Sequence, residues 1–387
     1  MTVLFTLLWA PLALAVGYLL VFAIAGRARR ISTPEAGARL KTAVLLPAYR
    51  EDAVIVESAR QALAQDYPSD RFDVIVIADG LQPETNEQLL ALGATVLQVQ
   101  FERSTKAKAL RAATEAFPPG LYETVVVLDA DNVMASGALA RLDDARALSP
   151  VVQGQRVAKN LDTPLARLDA LSEHVNNHIF RRGHAALGLS AALIGSGMAF
   201  DATLFTDLMA RAEAIGGFDK ELELELTRSR TRIAYAPEAV IYDEKAAAPD
   251  VFVRQRRRWL AAQAHYAGQH LGPALLSLAR TGNADYADKA LQMILPPRAL
   301  LLGAVPVLTV LAALAGAPLA PWVALGLALG LAIALGIPAG LWRSLGRDLL
   351  HLPGALVLML RAGLSARGAN RTFIHTPHTA AHVTAPS

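Results

Sequence analysis

Two stretches of the chain, residues 1–26 and 299–342, carry no charged side chain. A helix needs about 20 apolar residues to cross the hydrocarbon of a bilayer. The first stretch therefore predicts one transmembrane helix. The second predicts two, with a turn near Gly316-Ala317-Pro318 and Pro321. Between them, from 40 to 245, short runs of β-branched and aliphatic residues alternate with helical periodicity. Thr42–Leu46, Val74–Ala78, Thr95–Val99 and Thr124–Leu128 read as buried strands; 52–65, 83–92 and 104–116 read as the helices that link them. Strand and helix alternating in this way predict βαβ units and an α/β fold with a mostly parallel central sheet. Residues 163–190 read as a long helical segment, Ile194–Phe200 as a tight turn into an apolar strand, and 250–272 as a helix rich in Arg, Trp and Tyr. Leu349–Leu364 is apolar but short, bounded by Asp348 and containing Arg361, which suits an interfacial helix better than a span. The expected organisation is an N-terminal span (1–26), a catalytic domain (38–248), interfacial helices (249–290), two spans (299–342), and an interfacial helix with a cytoplasmic tail (348–387).

Composition sharpens this. At 53% hydrophobic residues the chain of 387 is too apolar for an ordinary soluble domain. Residues 1–26 do not read as a cleaved signal peptide, because the apolar run is long, no Lys or Arg precedes it, and Arg27, Arg29 and Arg30 follow it directly. Those arginines, with Arg343 and Arg347 after the last span, predict a cytoplasmic middle region by the positive-inside rule. There is no cysteine, so disulfide frameworks and thiol chemistry are excluded. The net charge of +3 is small and the arginine cluster is local, which argues against a nucleic-acid partner.

Polar residues stand at the ends of three predicted strands: Tyr49 to Glu51, Asp79, and Asp129 with Asp131. Ligands in parallel sheets bind beyond those ends. Two carboxylates one residue apart suit a hard cation such as Mg²⁺ or Mn²⁺, which takes further oxygens from phosphate and water; a solvated turn or helix cap is the plainer reading. Tyr49 could stack on a base, Glu51 could accept from a ribose hydroxyl, and Asp79 could accept from an imide N–H. Each has a turn reading beside it. Lys106 and Lys108 could neutralise phosphate or lie on a solvated helix face. Gly195 and Gly197, flanking Ser196, would let a backbone approach a ligand closely or simply bend. Asp219, in Gly216-Gly217-Phe218-Asp219, could serve as a general base or as the N-cap of the helix after it. Glu221, Glu223 and Glu225 read as surface charges. In Gln255-Arg256-Arg257-Arg258-Trp259, Arg258 could grip a diphosphate and Trp259 could stack on a sugar; an interfacial Arg/Trp belt is the alternative.

In this order the residues Pro47-Ala48-Tyr49-Arg50-Glu51, Asp79, Asp129-Ala130-Asp131, Gly195-Ser196-Gly197-Met198, Asp219 and Gln255-x-x-Arg258-Trp259 resemble the membrane-bound family 2 glycosyltransferases, which include cellulose, chitin, hyaluronan and poly-N-acetylglucosamine synthases. Phe373–His378 also resembles a tail of bacterial members. The resemblance implies a GT-A domain and inverting, Mg²⁺- or Mn²⁺-dependent transfer of a hexose or N-acetylhexosamine from a UDP-sugar to a growing glycan. Transfer to a lipid acceptor is the near alternative, and a non-catalytic membrane scaffold the remote one. Nucleotide contacts carry onto Tyr49, Glu51, Asp79, Lys106 and Asp129, the metal onto Asp129 and Asp131, the base onto Asp219, and diphosphate and acceptor contacts onto Gln255, Arg258, Trp259, Gly195 and Gly197. The implied setting is the bacterial plasma membrane, multi-pass, with lipids as neighbours and a second copy or an export partner as associates. The family's usual acid before the base is Phe218 here, and Asp79 lacks a second acid beside it.

Overall fold

The computed structural model describes residues 2–29, 31–34, 37–214, 216–366 and 382–383; Arg30 and the Phe373–His378 tail lie outside them. One eight-stranded sheet forms the centre, in the order β3-β2-β1-β4-β7-β6-β8-β5. Its strands are β1 (Thr42–Tyr49), β2 (Phe72–Asp79), β3 (Thr95–Val99), β4 (Thr124–Val127), β5 (Val133–Met134), β6 (Val151–Ala158), β7 (Met198–Asp201) and β8 (Ile233–Asp243). The four predicted strands form its parallel half. Strand β7 runs antiparallel to both β4 and β6, whereas β6 and β8 are parallel.

The run of Val and Ile in β1, β2 and β4 is explained by cover on both faces. One face packs on helices Asp52–Leu63 and Ala138–Arg146 through Ile55, Ala59, Leu139 and Leu142. The other packs on Lys106–Ala116, Ala202–Arg211 and Phe218–Arg228 through Leu110, Phe205, Met209 and Leu222. Each such side chain, fully buried, contributes about 1.5–3 kcal/mol. Register pairs Tyr49 with Asp79, and the order 3-2-1-4 reverses direction between β1 and β4. A ligand crevice is expected at that reversal.

A second, apolar unit packs below the sheet domain. Its N-terminal helix, Thr2–Ala28, contains the one helix segment among the described residues long and apolar enough to cross a membrane by length and composition, Phe5–Ala28. The 299–342 region, predicted as two full spans, forms two shorter apolar helices of 17 residues, Arg298–Leu314 and Ala320–Gly336. At about 1.5 Å rise per residue each spans about 26 Å, slightly less than the roughly 30 Å of a typical hydrocarbon core. Val16, Leu19 and Phe22 pack against Trp322, Leu329 and Ala332. Arg27 donates to Leu335 O (2.8 Å) and Ile337 O (3.2 Å), satisfying carbonyls that the end of Ala320–Gly336 leaves unpaired.

The predicted 163–190 helix is not continuous α-helix. It runs Pro164–Asn176, then as a π segment, Asn177–Gly183, then His184–Ala186. Gly183 explains the tolerance for this widening: a Cβ there would lie 2.2 Å from Phe22 O, so only glycine lets the N-terminal helix approach. The predicted 250–272 helix extends over Pro249–Thr281, and the predicted interfacial helix is Leu352–Leu364.

Candidate active site

The C-terminal ends of β1, β2 and β4 bring the predicted donor residues together. Arg50 adopts φ 55°, its N–H donates to Asp79 O (3.1 Å), and its guanidinium sits 5.2 Å from the Tyr49 ring centroid. Glu51 is buried at the start of the next helix. Asp79 is 3% exposed, and its Oδ2 is buried with no hydrogen-bond partner among the described residues. An orphaned buried carboxylate oxygen is costly, and a ligand N–H would relieve that cost.

Lys106 opens helix Lys106–Ala116, whose N-cap Thr105 accepts from Lys108 N–H at 3.3 Å. That placement carries the Lys106 ammonium to the Asp129 carboxylate, with which it forms a close ion pair, and to Gly195 O at 2.6 Å. Lys108 turns away and donates to Arg103 O (2.9 Å).

Asp129 and Asp131 are not equivalent. The Asp129 side chain is 34% exposed beside Lys106. Asp131 is 2% exposed; its Oδ2 accepts the Glu244 N–H (2.9 Å), and the Lys159 ammonium donates to its carbonyl (2.5 Å). Among the described residues no group of three or more Asp, Glu or His is poised to hold a metal. The two carboxylates therefore fit a hard cation that arrives with a diphosphate and keeps phosphate and water oxygens in its shell. They do not fit a preformed protein cage.

The glycine pair divides by role. Gly195, at φ 89°, packs with its missing Cβ 3.9 Å from Asp219 Cβ, so the Lys106–Gly195 contact and Asp219 lie back to back. Gly197, at φ 61°, would place a Cβ 2.7 Å from Ile241 Cγ1, and its carbonyl accepts the Gly154 N–H (2.8 Å). The sequence read it as a ligand contact; its surroundings make it a packing glycine beneath the site.

Asp219 is not the N-cap. Gly217, at φ 71°, holds that position, and Asp219 falls in the first turn of Phe218–Arg228. Lys220 lies 3.6 Å from Asp219 and 3.0 Å from Glu223. Burial alone would lower the Lys220 pKa, but Glu223 and Asp219 outweigh it and hold the ammonium above its ordinary 10.5. Glu223, read as a surface charge, is 0% exposed and accepts the Leu193 N–H (2.7 Å). Lys220 and the Leu193 backbone cover it, so that side of the helix is interior.

On that long helix Trp259 is 39% exposed. The guanidinium over its ring, 4.2 Å from the centroid, belongs to Arg256, which also ion-pairs with Asp169. Arg258 is half-buried; burial, reinforced by nearby Arg254, lowers its pKa from 12.5. The Gln255 Oε1 is buried without a hydrogen-bond partner among the described residues. The cation beside Trp259 is thus Arg256, a residue the sequence reading did not single out.

Asp219, Lys220, Arg256 and Trp259 share one cavity of about 650 Å³. It joins Asp219 to a mostly apolar space between the helices, lined by Leu168, Phe180, Leu302, Ile333 and Leu356. Arg298 also lines it, at the head of the apolar helix Arg298–Leu314. No sequence signal paired Arg256 with Asp169, 87 positions away. Arg298 was more visible, as the lone cation directly before the charge-free block.

Residues 38–262 match the family described as "Glycosyltransferase like family 2". The chain belongs to this family. It is 23% identical over 228 residues to the probable glycosyltransferase YdaM of Bacillus subtilis, covering 57% of this chain and 54% of that one. It is 30% identical over 148 residues to the glucans biosynthesis glucosyltransferase H of Caulobacter vibrioides, covering 33% and 22%. The chain thus spans about half the length of the first of these relatives and less of the second. In structure it is similar to the mannosyltransferase PcManGT of Pyrobaculum calidifontis, solved with GDP-Man and Mn²⁺, with a TM-score of 0.58 and 20% identity over 92% of this chain and 98% of that one. That likeness establishes the GT-A-like fold for the domain.

Proposed function

We propose that the chain transfers a hexose or N-acetylhexosamine, with inversion, from a nucleoside diphosphate sugar to the hydroxyl of a membrane-associated acceptor. One observation carries this reading: Gly195 touches both the Lys106–Asp129 pair, through its carbonyl, and Asp219, 3.9 Å from its Cβ position. A donor diphosphate at Lys106 and Asp129 would then present its sugar towards Asp219. Tyr49, Glu51 and the unpaired oxygen of Asp79 form the nucleotide end. The imide N–H of uracil suits Asp79, which favours a UDP-sugar.

In the transfer, the acceptor oxygen bonds to the anomeric carbon while the bond from that carbon to the diphosphate oxygen breaks. The electron pair leaves with the diphosphate. Asp219 takes the hydroxyl proton, and one direct displacement inverts the centre. Lys106 offsets charge on the leaving group. Mg²⁺ or Mn²⁺, held by Asp129 and Asp131 together with diphosphate oxygens, would supply further charge neutralisation there.

The apolar helix Thr2–Ala28, with Arg27 and Arg29 at its end, supports a membrane anchor and a cytoplasmic catalytic domain. The helices Arg298–Leu314, Ala320–Gly336 and Leu352–Leu364 complete a multi-pass or interfacial base.

The test is a donor screen (UDP-glucose, UDP-N-acetylglucosamine, GDP-mannose) on the full chain in membranes with Mn²⁺ or Mg²⁺, scoring nucleoside diphosphate release. Asp219→Asn should lower the rate about 10²- to 10⁴-fold while donor binding persists. Chelation should abolish transfer, and added Mn²⁺ should restore it. Unchanged turnover in Asp219→Asn would remove the assigned base.

A further inference from the structure

Resting on that function, we infer that the acceptor is an amphiphile: a hydroxyl presented to Asp219, a phosphate linker near Arg298, and one long apolar chain in the cavity between the helices. Three independent features converge on this chemistry. The cavity is continuous from the candidate base to the apolar unit, and at about 650 Å³ it falls in the range of sites that enclose a substantial ligand. Beyond Trp259 its walls come from the helices Pro164–Asn176, Ala320–Gly336 and Leu352–Leu364, through side chains such as Leu168, Ile333 and Leu356. A hydrated glycan strand has little to gain from such walls; a hydrocarbon chain gains about 0.8 kcal/mol per buried methylene.

Charge supplies the second feature. The cavity is lined by four cations, Arg181, Lys220, Arg256 and Arg298, and three carboxylates, Asp169, Glu173 and Asp219. Arg181 pairs with Glu173, Arg256 with Asp169, and Lys220 with Asp219 and Glu223. Arg298 has no carboxylate partner among the described residues. One of its nitrogens, Nη2, donates to Ser172 O (3.0 Å) and Ser172 Oγ (3.2 Å). The other, Nη1, is buried with no hydrogen-bond partner among the described residues. A buried guanidinium nitrogen without an acceptor is costly, and a phosphate oxygen matches its fork geometry.

The third feature is position. Arg298 heads an apolar helix and lines the cavity that Asp219 also lines, its guanidinium 5.7 Å from the Phe180 ring centroid. An anion there would lie in the same cavity as Asp219 and the apolar wall residues.

The test uses the full chain in lipid nanodiscs with the best donor from the screen. Acceptors are glucosyl and N-acetylglucosaminyl phosphodiesters bearing ethyl, dodecyl or farnesyl chains, and the neutral dodecyl glycosides. Expected are a KM at least about 100-fold lower for the long chains than for ethyl, and about 10- to 100-fold lower for phosphodiester than for neutral glycoside. Farnesyl against dodecyl decides between an isoprenoid and a straight-chain lipid source. Arg298→Gln should erase the phosphodiester preference and keep the chain preference. Gly330→Phe should erase the chain preference; Gly330 lines the cavity and nothing lies within 4 Å of its Cβ position, so the wall gains a ring without a clash at the backbone. Leu327→Phe, exposed on the same helix and not part of the cavity wall, should match wild type.

If ethyl and dodecyl acceptors, or soluble oligosaccharides, react equally well and Gly330→Phe changes neither, the amphiphile is overturned while glycosyl transfer stands. If no donor releases its diphosphate with any acceptor, both readings fall.

Discussion

Replacing Gly217 by alanine tests how Asp219 is held. Gly217 caps helix Phe218–Arg228 at φ 71°, and a Cβ there would lie 2.7 Å from Ala262 Cβ and 3.1 Å from Tyr266 Cε2 on the long helix. Two costs add. An L side chain in the left-handed region costs about 1–2 kcal/mol. Forcing a methyl into a packed contact costs about 1–3 kcal/mol. Gly217→Ala should therefore destabilise by about 2–5 kcal/mol. The molecule contains its own control. Gly137 caps helix Ala138–Arg146 at φ 72°, and nothing lies within 4 Å of its missing Cβ. Gly137→Ala should show the conformational cost alone, about 1–2 kcal/mol. At about 2–4 °C per kcal/mol for a domain of this size, the thermal midpoint of Gly217→Ala should fall on the order of 5 °C further than that of Gly137→Ala. Paired thermal denaturation of the two variants in the same detergent reads the difference. Transfer separates them too: the Gly217 variant should lose kcat, because it moves the turn that carries Asp219, whereas the Gly137 variant should not. Equal midpoints would show that the Gly217–Ala262 contact does not fix that turn, and the packing account of the base would be wrong.

Three further outcomes follow from the geometry. Asp79→Asn replaces the unpaired acceptor oxygen by an amide, and uridine diphosphate affinity measured calorimetrically should fall about 10-fold or more, as loss of one charged hydrogen bond implies. Lys106→Met should raise donor KM and leave folding intact, with Lys106→Arg recovering part of the loss; an unchanged KM would remove Lys106 from the donor site. Glu173 pairs with Arg156 (3.3 Å), Arg181 (3.1 Å) and Lys245 (3.6 Å). Burial would raise its pKa, but these three cations hold it well below its ordinary 4.5, so the stabilisation is complete above pH 4.5 and is lost as pH falls below it. Glu173→Gln should cost about 3–5 kcal/mol at neutral pH and flatten the acid limb of the stability profile; an identical acid limb would count against this pairing.

The parallel half of the sheet was legible because β1, β2 and β4 are buried on both faces and so read as unbroken Val/Ile/Leu runs. The other half was harder. Strand β6 carries Gln153, Gly154, Gln155 and Arg156 in its middle, and these polar groups are satisfied by distant partners: Gln153 donates to Ser196 O (2.9 Å) and Arg156 pairs with Glu173. Only the folded chain supplies such partners, so the local pattern reads as loop. The strand ends were legible as candidate positions because ligands of parallel sheets bind beyond them, and Asp219 because it follows a Gly-Gly turn. The cavity was not. Its walls come from helices separated by nearly 200 positions, and an inward-facing Leu is indistinguishable in sequence from a lipid-facing one.

Phe218 links these two kinds of residue. The family pattern places an acid immediately before the base, and this chain has Phe. Phe218 is 7% exposed and joins the core with Phe205, Leu222 and Leu226. It therefore fastens the first turn of its helix to the sheet domain, while Gly217 fastens the same turn to the long helix. Asp219 is thereby held from both sides by packing. On the proposed function, with no acid at that position to engage a sugar hydroxyl, acceptor recognition would fall to other groups that line the cavity: Trp259, Arg256 and Arg298. Recognition by an aromatic plane and a buried guanidinium suits an acceptor identified by its linker and chain more than by its sugar. Restoring the acid tests the argument, because Phe218→Glu exchanges a core contact for a carboxylate. If core packing is its role, that variant should unfold more readily and gain no affinity for soluble oligosaccharides. A stable Phe218→Glu enzyme that extends soluble glycans would show that the aromatic residue had been excluding them.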